Sequence, residues 1–346
     1  MKNWDFQHGI RPLLRRNNNR MPGFSIIIPV KEINDYLRES IPYLLALDYE
    51  DYEVLILPNV EPVSLESKFV DERLKIIASG AVSPAIKRDM GAEQSKFEYL
   101  AFLDDDAYPP PEWLQVAEKT LSDKNVAAIG GPGATPPHSS LQETVSGLFY
   151  ETLIGGGGLA YRYRPATKGF YVEDYPSVNL IVQKYIFIEV GGFDNSFWPG
   201  EDTKLCLDLI KVGHKIWYEP TLLVYHHRRP TFLGHFKQVG GYGLHRGYFA
   251  KIFPQTSALP LYFVPSLFLL GNIFLLLLGF AYPLVWTLWG VLLAVYLLFA
   301  ALEVLLKTRH PLVFGMTLII IFCSHLVYGF RFIQGFITPK LKSKLR

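Results

Sequence analysis

Between residues 259 and 337 the chain is an almost unbroken run of Leu, Phe, Ile, Val, Trp and Gly. Three stretches, 261–281, 284–306 and 312–337, each reach the ~20 apolar residues that a helix needs to cross a bilayer. Such runs packed into so short a segment leave too little polar surface for a soluble helical core. They restrict the chain to a polar half followed by a membrane region. Tyr282-Pro283 reads as a tight turn between the first two spans, and Lys307, Arg309 and His310 separate the second from the third. If the polar half lies in the cytoplasm, Lys307 and Arg309 also face inward, as basic loops prefer. A third full crossing would carry Lys340, Lys342, Lys344 and Arg346 outside. Either that tail is an exception or one segment lies in the interface or re-enters. Glu303 reads as an interfacial or snorkelling carboxylate.

The rest of the composition narrows the class. Arg11, Arg15, Arg16 and Arg20 precede no apolar segment, so the first 22 residues read as a basic lead-in rather than a secretory signal. The catalytic half is therefore expected to stay in the cytoplasm. Cys206 and Cys323 stand far apart, which argues against a disulfide framework or a zinc site. The formal net charge of +2, with no basic patch interleaved with stacking aromatics, gives no sign of a nucleic-acid partner.

Residues 23–255 read as one α/β domain, followed by a membrane region at 256–346. Ser25-Ile26-Ile27-Ile28-Pro29 has the continuous apolar run of a buried parallel strand. Residues 35–47 place Leu37, Ile41, Leu44 and Leu45 at helical spacing. Strands are expected at 53–57, 74–78 and 99–103, with a helix at 85–95. This alternation predicts a doubly wound, mainly parallel sheet flanked by helices. After 126–130 the pattern loosens, and Gly155-Gly156-Gly157-Gly158 reads as mobile loop. A helix resumes at Glu201, with Leu205, Leu209 and Val212 on one stripe.

The strand 99–103 runs straight into Asp104-Asp105-Asp106. Three adjacent carboxylates repel and raise one another's pKa. A hard divalent cation relieves that cost and takes oxygen ligands from carboxylates and substrate phosphates. A plain acidic turn capping the helix after Pro109-Pro110-Pro111 is the other reading of the same residues.

In this order and spacing, the segments Ser25–Val30, Lys87-Arg88-Asp89-Met90-Gly91, Phe102–Asp106, Gly191-Gly192-Phe193-Asp194 and Gly200-Glu201-Asp202 resemble the family 2 glycosyltransferases. The resemblance covers about residues 23–250 and implies a GT-A-type, Rossmann-like catalytic domain. It implies that Pro29, Val30 and Glu32 hold the nucleotide, with Lys31-Glu32 replacing the more usual Asn-Glu. Lys87, Arg88 and Asp89 would lie along the base and diphosphate. The second strand ends in Leu57-Pro58-Asn59 where the family has an acidic residue, leaving Asn59 as the corresponding contact.

Asp104 and Asp106 correspond to the D-x-D motif: Asp106 would bind Mn²⁺ or Mg²⁺ and Asp104 the ribose or the metal's waters. Asp105, between them, is grouped with the donor-binding residues. His226 or His227 would supply a third ligand, with Arg228 and Arg229 on phosphate. A basic membrane-proximal stretch meeting anionic lipid is the competing reading of these four. Glu201-Asp202 matches the family's E-D motif. Asp202 is implied as general base and Glu201 as its neighbour or substitute, while acidic residues also stabilise a helix start on their own. Trp198, Gln238 and Arg246 are candidates on the acceptor side.

The function so implied is inverting transfer of a sugar from a nucleotide-diphosphate-sugar to a saccharide or polyprenyl-linked acceptor at the cytoplasmic membrane face. Membrane lipid is an expected partner, as are a second copy of the chain or other envelope-synthesis enzymes. A nucleotidyltransferase or other diphosphate enzyme, which would not need Glu201-Asp202, and an inactive assembly subunit remain as alternatives.

Overall fold

The computed structural model describes residues 21–60, 70–197 and 200–341. Most of the basic lead-in, Trp198, and the tail residues Lys342, Lys344 and Arg346 lie outside them.

Eight strands form one sheet in the order β3 (Leu74–Ile76), β2 (Tyr52–Leu57), β1 (Phe24–Pro29), β4 (Tyr99–Leu103), β9 (Asn179–Gln183), β6 (Ala128–Gly130), β10 (Ile216–Tyr218) and β8 (Phe170–Val172). Strands β3, β2, β1 and β4 run parallel, as do β6 and β10. β9 inserts antiparallel between β4 and β6, and β8 lies antiparallel on β10. The sheet is thus mixed and mainly parallel, as expected.

Side chains alternate across each strand, so β1 and β2 feed both cores. Ile26, Ile28, Val54 and Ile56 pack with Leu37, Ile41, Leu44, Trp113 and Leu114 on one face. Ile27, Leu55 and Leu57 pack with Ala85, Ala92, Leu205 and Leu209 on the other. Helices Asp35–Leu45 and Trp113–Lys124 cover the first face, and Pro84–Gln94 and Glu201–Lys211 the second. A small second sheet joins β5 (Ala107–Tyr108), β11 (Val224–His226) and β7 (Gly133–Ala134).

Among the described residues, three helices are long and apolar enough to cross a membrane: Pro260–Ala281, Leu284–Leu305 and Pro311–Ile337. The first two expose most of their apolar side chains, as helices facing lipid do. The third packs along helix Phe232–Ile252 at very short range. A Cβ on Gly247 would lie 2.0 Å from the Phe332 carbonyl oxygen, and one on Gly335 1.9 Å from that of Leu244. Small residues permit this backbone-to-backbone approach in membrane helices.

The glycine run differs from expectation. Leu153–Gly156 forms a helical turn and Gly157–Arg162 a 3₁₀ helix. The Thr152 hydroxyl caps the turn at Gly155 N, and Glu303 accepts from the amides of Leu153 and Ile154. The segment is ordered by a carboxylate borrowed from the second membrane helix, which local composition does not reveal.

Candidate active site

The triple aspartate spreads its charge by sending each carboxylate to a different partner. Asp104 Oδ1 accepts from Arg88 Nη2 at 2.8 Å. Asp105 Oδ2 accepts from the Asn34 amide, whose own oxygen caps helix Asp35–Leu45 at Leu37 N. Burial raises the Asp105 carboxyl to about 6, with Asp106 adding to the rise. Asp106 lies 3.1 Å from His226 Nε2 and 3.5 Å from Arg229 Nη1. Burial would push its pKa up, but the His226 and Arg229 side chains outweigh that and hold it down at about 2.

Strand pairing delivers His226 to this place. β5 and β11 pair antiparallel with Ala107 opposite His226, and the amide of His227 donates to the Asp106 carbonyl. Residues 120 positions apart are thereby brought side by side. Ligand atoms of Asp104, Asp106 and His226 lie within 4.8 Å of one another. Two carboxylates and an imidazole form a donor set suited to Mn²⁺, and to Mg²⁺ through the carboxylates. Arg228 Nη1 sits 3.2 Å from His226 Nδ1. An arginine only donates, so Nδ1 accepts and Nε2 carries the ring hydrogen. Ligation through Nε2 requires the opposite tautomer and release of the Arg228 contact, so the carboxylates are the primary donors.

His227 is not part of this cluster. It lies 3.1 Å from Glu39 and 3.3 Å from Glu143, against the Tyr36 ring. Arg228 is buried, bonded to Thr135 and the Gly133 carbonyl and set over the Tyr163 ring. Arg229 is the more accessible of the two.

Helix Pro84–Gln94 buries three consecutive charged side chains, Lys87, Arg88 and Asp89. Charged groups are rarely buried without partners, and each of these has hydrogen-bond partners. The Lys87 ammonium bonds the Val30 and Leu57 carbonyls and the Asn59 side chain, joining the carboxyl ends of β1 and β2. Burial lowers its pKa to about 8. Asp89 accepts from Phe193 N at 2.8 Å and fixes the Gly191-Gly192 turn, where Gly192 has φ +70°. Pro29 and Val30 lie at the end of β1, and Glu32 is exposed beyond it.

Arg88 is the hub: besides Asp104 it donates to Glu201 Oε1 at 2.9 Å. Glu201 begins its helix after Gly200, whose φ of +122° is open to glycine and strained for other residues. The second Glu201 oxygen accepts from Gly200 N. Burial and neighbouring Asp202 raise Glu201 to about 7, against the lowering effect of Arg88. Half-buried Asp202 accepts from Thr203 N at 2.7 Å. Its pKa is raised by burial and then by Asp174.

On the membrane side, Gln238 Oε1 accepts from the Tyr150 hydroxyl. Arg246 bonds Asp174 and Ser257 and lies over the Tyr262 ring of the first membrane helix. Asn34, Arg162 and Asp174 escaped the sequence reading. Only Asn34 left a signal there, as an Asn-Asp pair at a helix start.

The mixed sheet, the acidic end of its central strand and the second carboxylate pair facing it define a GT-A-type transferase domain attached to apolar helices. The chain belongs to glycosyl transferase family group 2, whose model matches residues 99–332, and the glycosyl transferase family 2 model matches residues 25–172. The resemblance carried by the motifs is borne out.

Among its relatives is the dolichyl N-acetyl-alpha-D-glucosaminyl phosphate 3-beta-D-2,3-diacetamido-2,3-dideoxy-beta-D-glucuronosyltransferase of Methanococcus voltae. It is 24% identical over 340 residues, spanning 90% of this chain and 97% of that protein. Pre-mycofactocin glycosyltransferase of Mycobacterium tuberculosis is 29% identical over 210 residues, 59% of this chain and 43% of that protein. This chain therefore covers less than half the length of that relative. A mannosyltransferase of Pyrobaculum calidifontis, solved with GDP-Man and Mn²⁺, shares the fold at TM-score 0.50 and 16% identity, over 68% of this chain and 65% of that one.

Proposed function

We propose that the chain is an inverting, metal-dependent glycosyltransferase that moves a sugar from a nucleotide-diphosphate-sugar to a lipid-linked acceptor at the cytoplasmic membrane face. One observation carries the reading: the Arg88 guanidinium bonds Asp104 and Glu201 at once. A donor-side and an acceptor-side carboxylate pair are thus parts of one site, an arrangement that a nucleotidyltransferase does not need.

The ends of β1 and β2, with Asn59 oriented by Lys87, receive the nucleotide. Asp106 and Asp104 hold Mn²⁺ or Mg²⁺, with His226 as third donor. The bound ion supplies Lewis-acid neutralisation of the leaving diphosphate. Arg229 adds a positive charge beside Asp106. Asp202 takes the proton from the acceptor hydroxyl during in-line attack, a role served by a carboxyl whose pKa is raised toward the working pH. Glu201, bonded to Arg88 and Gly200 N, keeps the start of the helix in place.

The acceptor assignment rests on the site's link to the membrane helix through Arg246 and Tyr262, and on the dolichyl phosphate sugar named in the Methanococcus voltae relative. Lys307 and Arg309, between the second and third membrane helices, favour the cytoplasmic side.

The test incubates membranes carrying the full chain with radiolabelled UDP-glucose, UDP-N-acetylglucosamine and GDP-mannose, with and without Mn²⁺. Metal-dependent label in the lipid extract is expected for the wild type and strongly reduced label for Asp106→Ala and Asp202→Asn. Transfer by Asp202→Asn at the wild-type rate removes the base assignment. Absence of metal-dependent nucleotide-sugar binding removes the enzyme reading.

A further inference from the structure

Helix Pro311–Ile337 is packed unlike the two apolar helices before it. Pro260–Ala281 exposes Leu261, Val264, Leu267, Leu270, Ile273 and Leu276, which at three-residue steps point in every direction around the helix. Leu284–Leu305 exposes Trp286 and Leu297 on the side opposite Leu288 and Leu302. Helices apolar all round are membrane spans. In Pro311–Ile337 the exposed residues Leu312, Ile319, Phe330 and Ile337 recur seven, eleven and seven positions apart, which keeps them on one face, with Phe336 beside them at the end.

A second face of this helix is laid against the catalytic half from one end to the other. At its start, Val313, Ile320 and Ile321 share a cluster with Val145 and Phe149 of helix Leu141–Glu151. That helix reaches the site, since its Glu143 lies 3.3 Å from His227. In the middle, Ser324 Oγ is 2.9 Å from His235 Nε2, and Ser146 Oγ is 2.8 Å from His235 Nδ1. His325 Nε2 donates to the Ile154 carbonyl at 2.8 Å. Further on, the helix runs parallel to Phe232–Ile252: Gly240 faces Val327, Gly243 the Tyr328 carbonyl and Gly247 that of Phe332. At its end, the Lys251 ammonium donates to the Thr338 carbonyl.

A crossing helix must deliver its two ends to opposite faces of the bilayer. Both ends of this one are held by segments that precede the first apolar helix in the chain, residues 141–151 and Lys251. A crossing would also place Ser324 and His325 near mid-bilayer and draw in His235 and the turn at Ile154, which belong to the catalytic half. The other two helices behave differently. Phe268 and Tyr296 both touch His325. Beyond them, Asn272 meets Trp289 and Gly279 meets Trp286, so the pair continues as a hairpin.

We propose that Pro311–Ile337 lies in the membrane interface, with its stripe of Leu312, Ile319, Phe330 and Ile337 dipped into the lipid, and that only the hairpin of Pro260–Ala281 and Leu284–Leu305 crosses. The inference rests on the apolar helices being membrane elements and not on the chemistry of sugar transfer. Exposed Arg309 and Lys340 flank the stripe, and basic ends around an apolar face fit a bilayer surface carrying anionic headgroups. Lys340 then stays on the same side as Lys307 and Arg309, as basic segments prefer. On the proposed function, Gln238 and Arg246 come within one helix spacing, about 10 Å, of that surface helix.

The test uses the full chain in sealed right-side-out and everted membrane vesicles. Tyr282→Cys, Arg309→Cys and Lys340→Cys are made one at a time in a Cys323→Ala chain, Cys206 being buried. Labelling by a membrane-impermeant maleimide is counted above that parent chain. Arg309→Cys and Lys340→Cys should label in one vesicle orientation and Tyr282→Cys in the other. Labelling of Lys340→Cys together with Tyr282→Cys establishes a third crossing and overturns the inference. Labelling of all three from one side leaves no crossing hairpin and overturns it as well. A depth measurement forms the second arm: nitroxides on Leu312→Cys, Ile319→Cys, Phe330→Cys and Ile337→Cys, read by oxygen and nickel-chelate relaxation in phosphatidylcholine–phosphatidylglycerol vesicles. One shallow depth for all four is expected. The helix rises about 37 Å from Leu312 to Ile337, so a crossing gives a shallow–deep–shallow profile, and that profile overturns the inference. Neither arm reads sugar transfer, so the proposed function and this topology fail separately.

Discussion

Asp106 and the Glu201/Asp202 pair are acidic groups tuned in opposite directions. Asp106 meets His226 and Arg229 and is held in its charged form. Burial, and after it the charge of a second carboxylate (Asp202 for Glu201, Asp174 for Asp202), pushes Glu201 and Asp202 toward the neutral form. A group that holds a cation benefits from being anionic at every working pH, whereas a group that accepts a proton needs a pKa within reach of that pH. On the proposed function carboxylates would serve two chemistries through burial and neighbouring charge, and Arg88 bonds one member of each pair, Asp104 and Glu201.

The strongest way to break the comparison is on the metal side. Asp106→Ala should lower Mn²⁺-dependent transfer by roughly 10³-fold or more, since a metal contributes several kcal/mol of charge stabilisation. Isothermal titration with Mn²⁺ alone should lose its signal in the same variant. On the proton side, Asp202→Asn should cost about 10²–10⁴-fold in kcat while Mn²⁺ binding stays intact. In the wild type a base with a raised pKa is ionised only above that pKa. Activity should therefore rise with pH through the Asp202 titration, and this acidic limb should vanish in Asp202→Asn. If Mn²⁺ binding disappears in both variants, the division between the pairs is wrong.

Arg88→Met tests the joint. It leaves two carboxylates without their shared cation, and removing one partner of a buried ion pair costs about 3–5 kcal/mol. A lowered thermal unfolding midpoint and loss of both Mn²⁺ binding and transfer are expected. The smallest effect belongs to the membrane side. In Gly247→Ala the new methyl would meet the Phe332 carbonyl, and overpacking of this kind costs about 1–3 kcal/mol. Thermal unfolding in detergent should register it, with Mn²⁺ affinity unchanged.

Much of the fold could be read from the chain because the responsible forces are local. Ile26-Ile27-Ile28 is apolar on both sides of its strand, and the 99–103 run ends where its charges begin. β9 went unseen because Leu180-Ile181-Val182 is short and its direction is set by the neighbours it slots between. At the site, the candidate carboxylates were visible as adjacent letters. What the letters could not show was the division of labour among cations. Lys87, Arg88, Arg228 and Arg246 all read as ligand contacts, yet each is engaged within the protein, and Arg229 keeps the weakest internal contact of the series. Asp174 carries no local pattern at all, since its partners Arg162 and Arg246 come from other elements.

The close fit of Gly247 and Gly335 against facing carbonyls has a geometric consequence. Two helices meshed that tightly cannot glide past each other by small amounts, because the alternative seating is a whole turn of about 5.4 Å away. The separation of Asp202 from the apolar helices is then a built-in length, and on the proposed function it would gauge how high above the bilayer an acceptor hydroxyl stands.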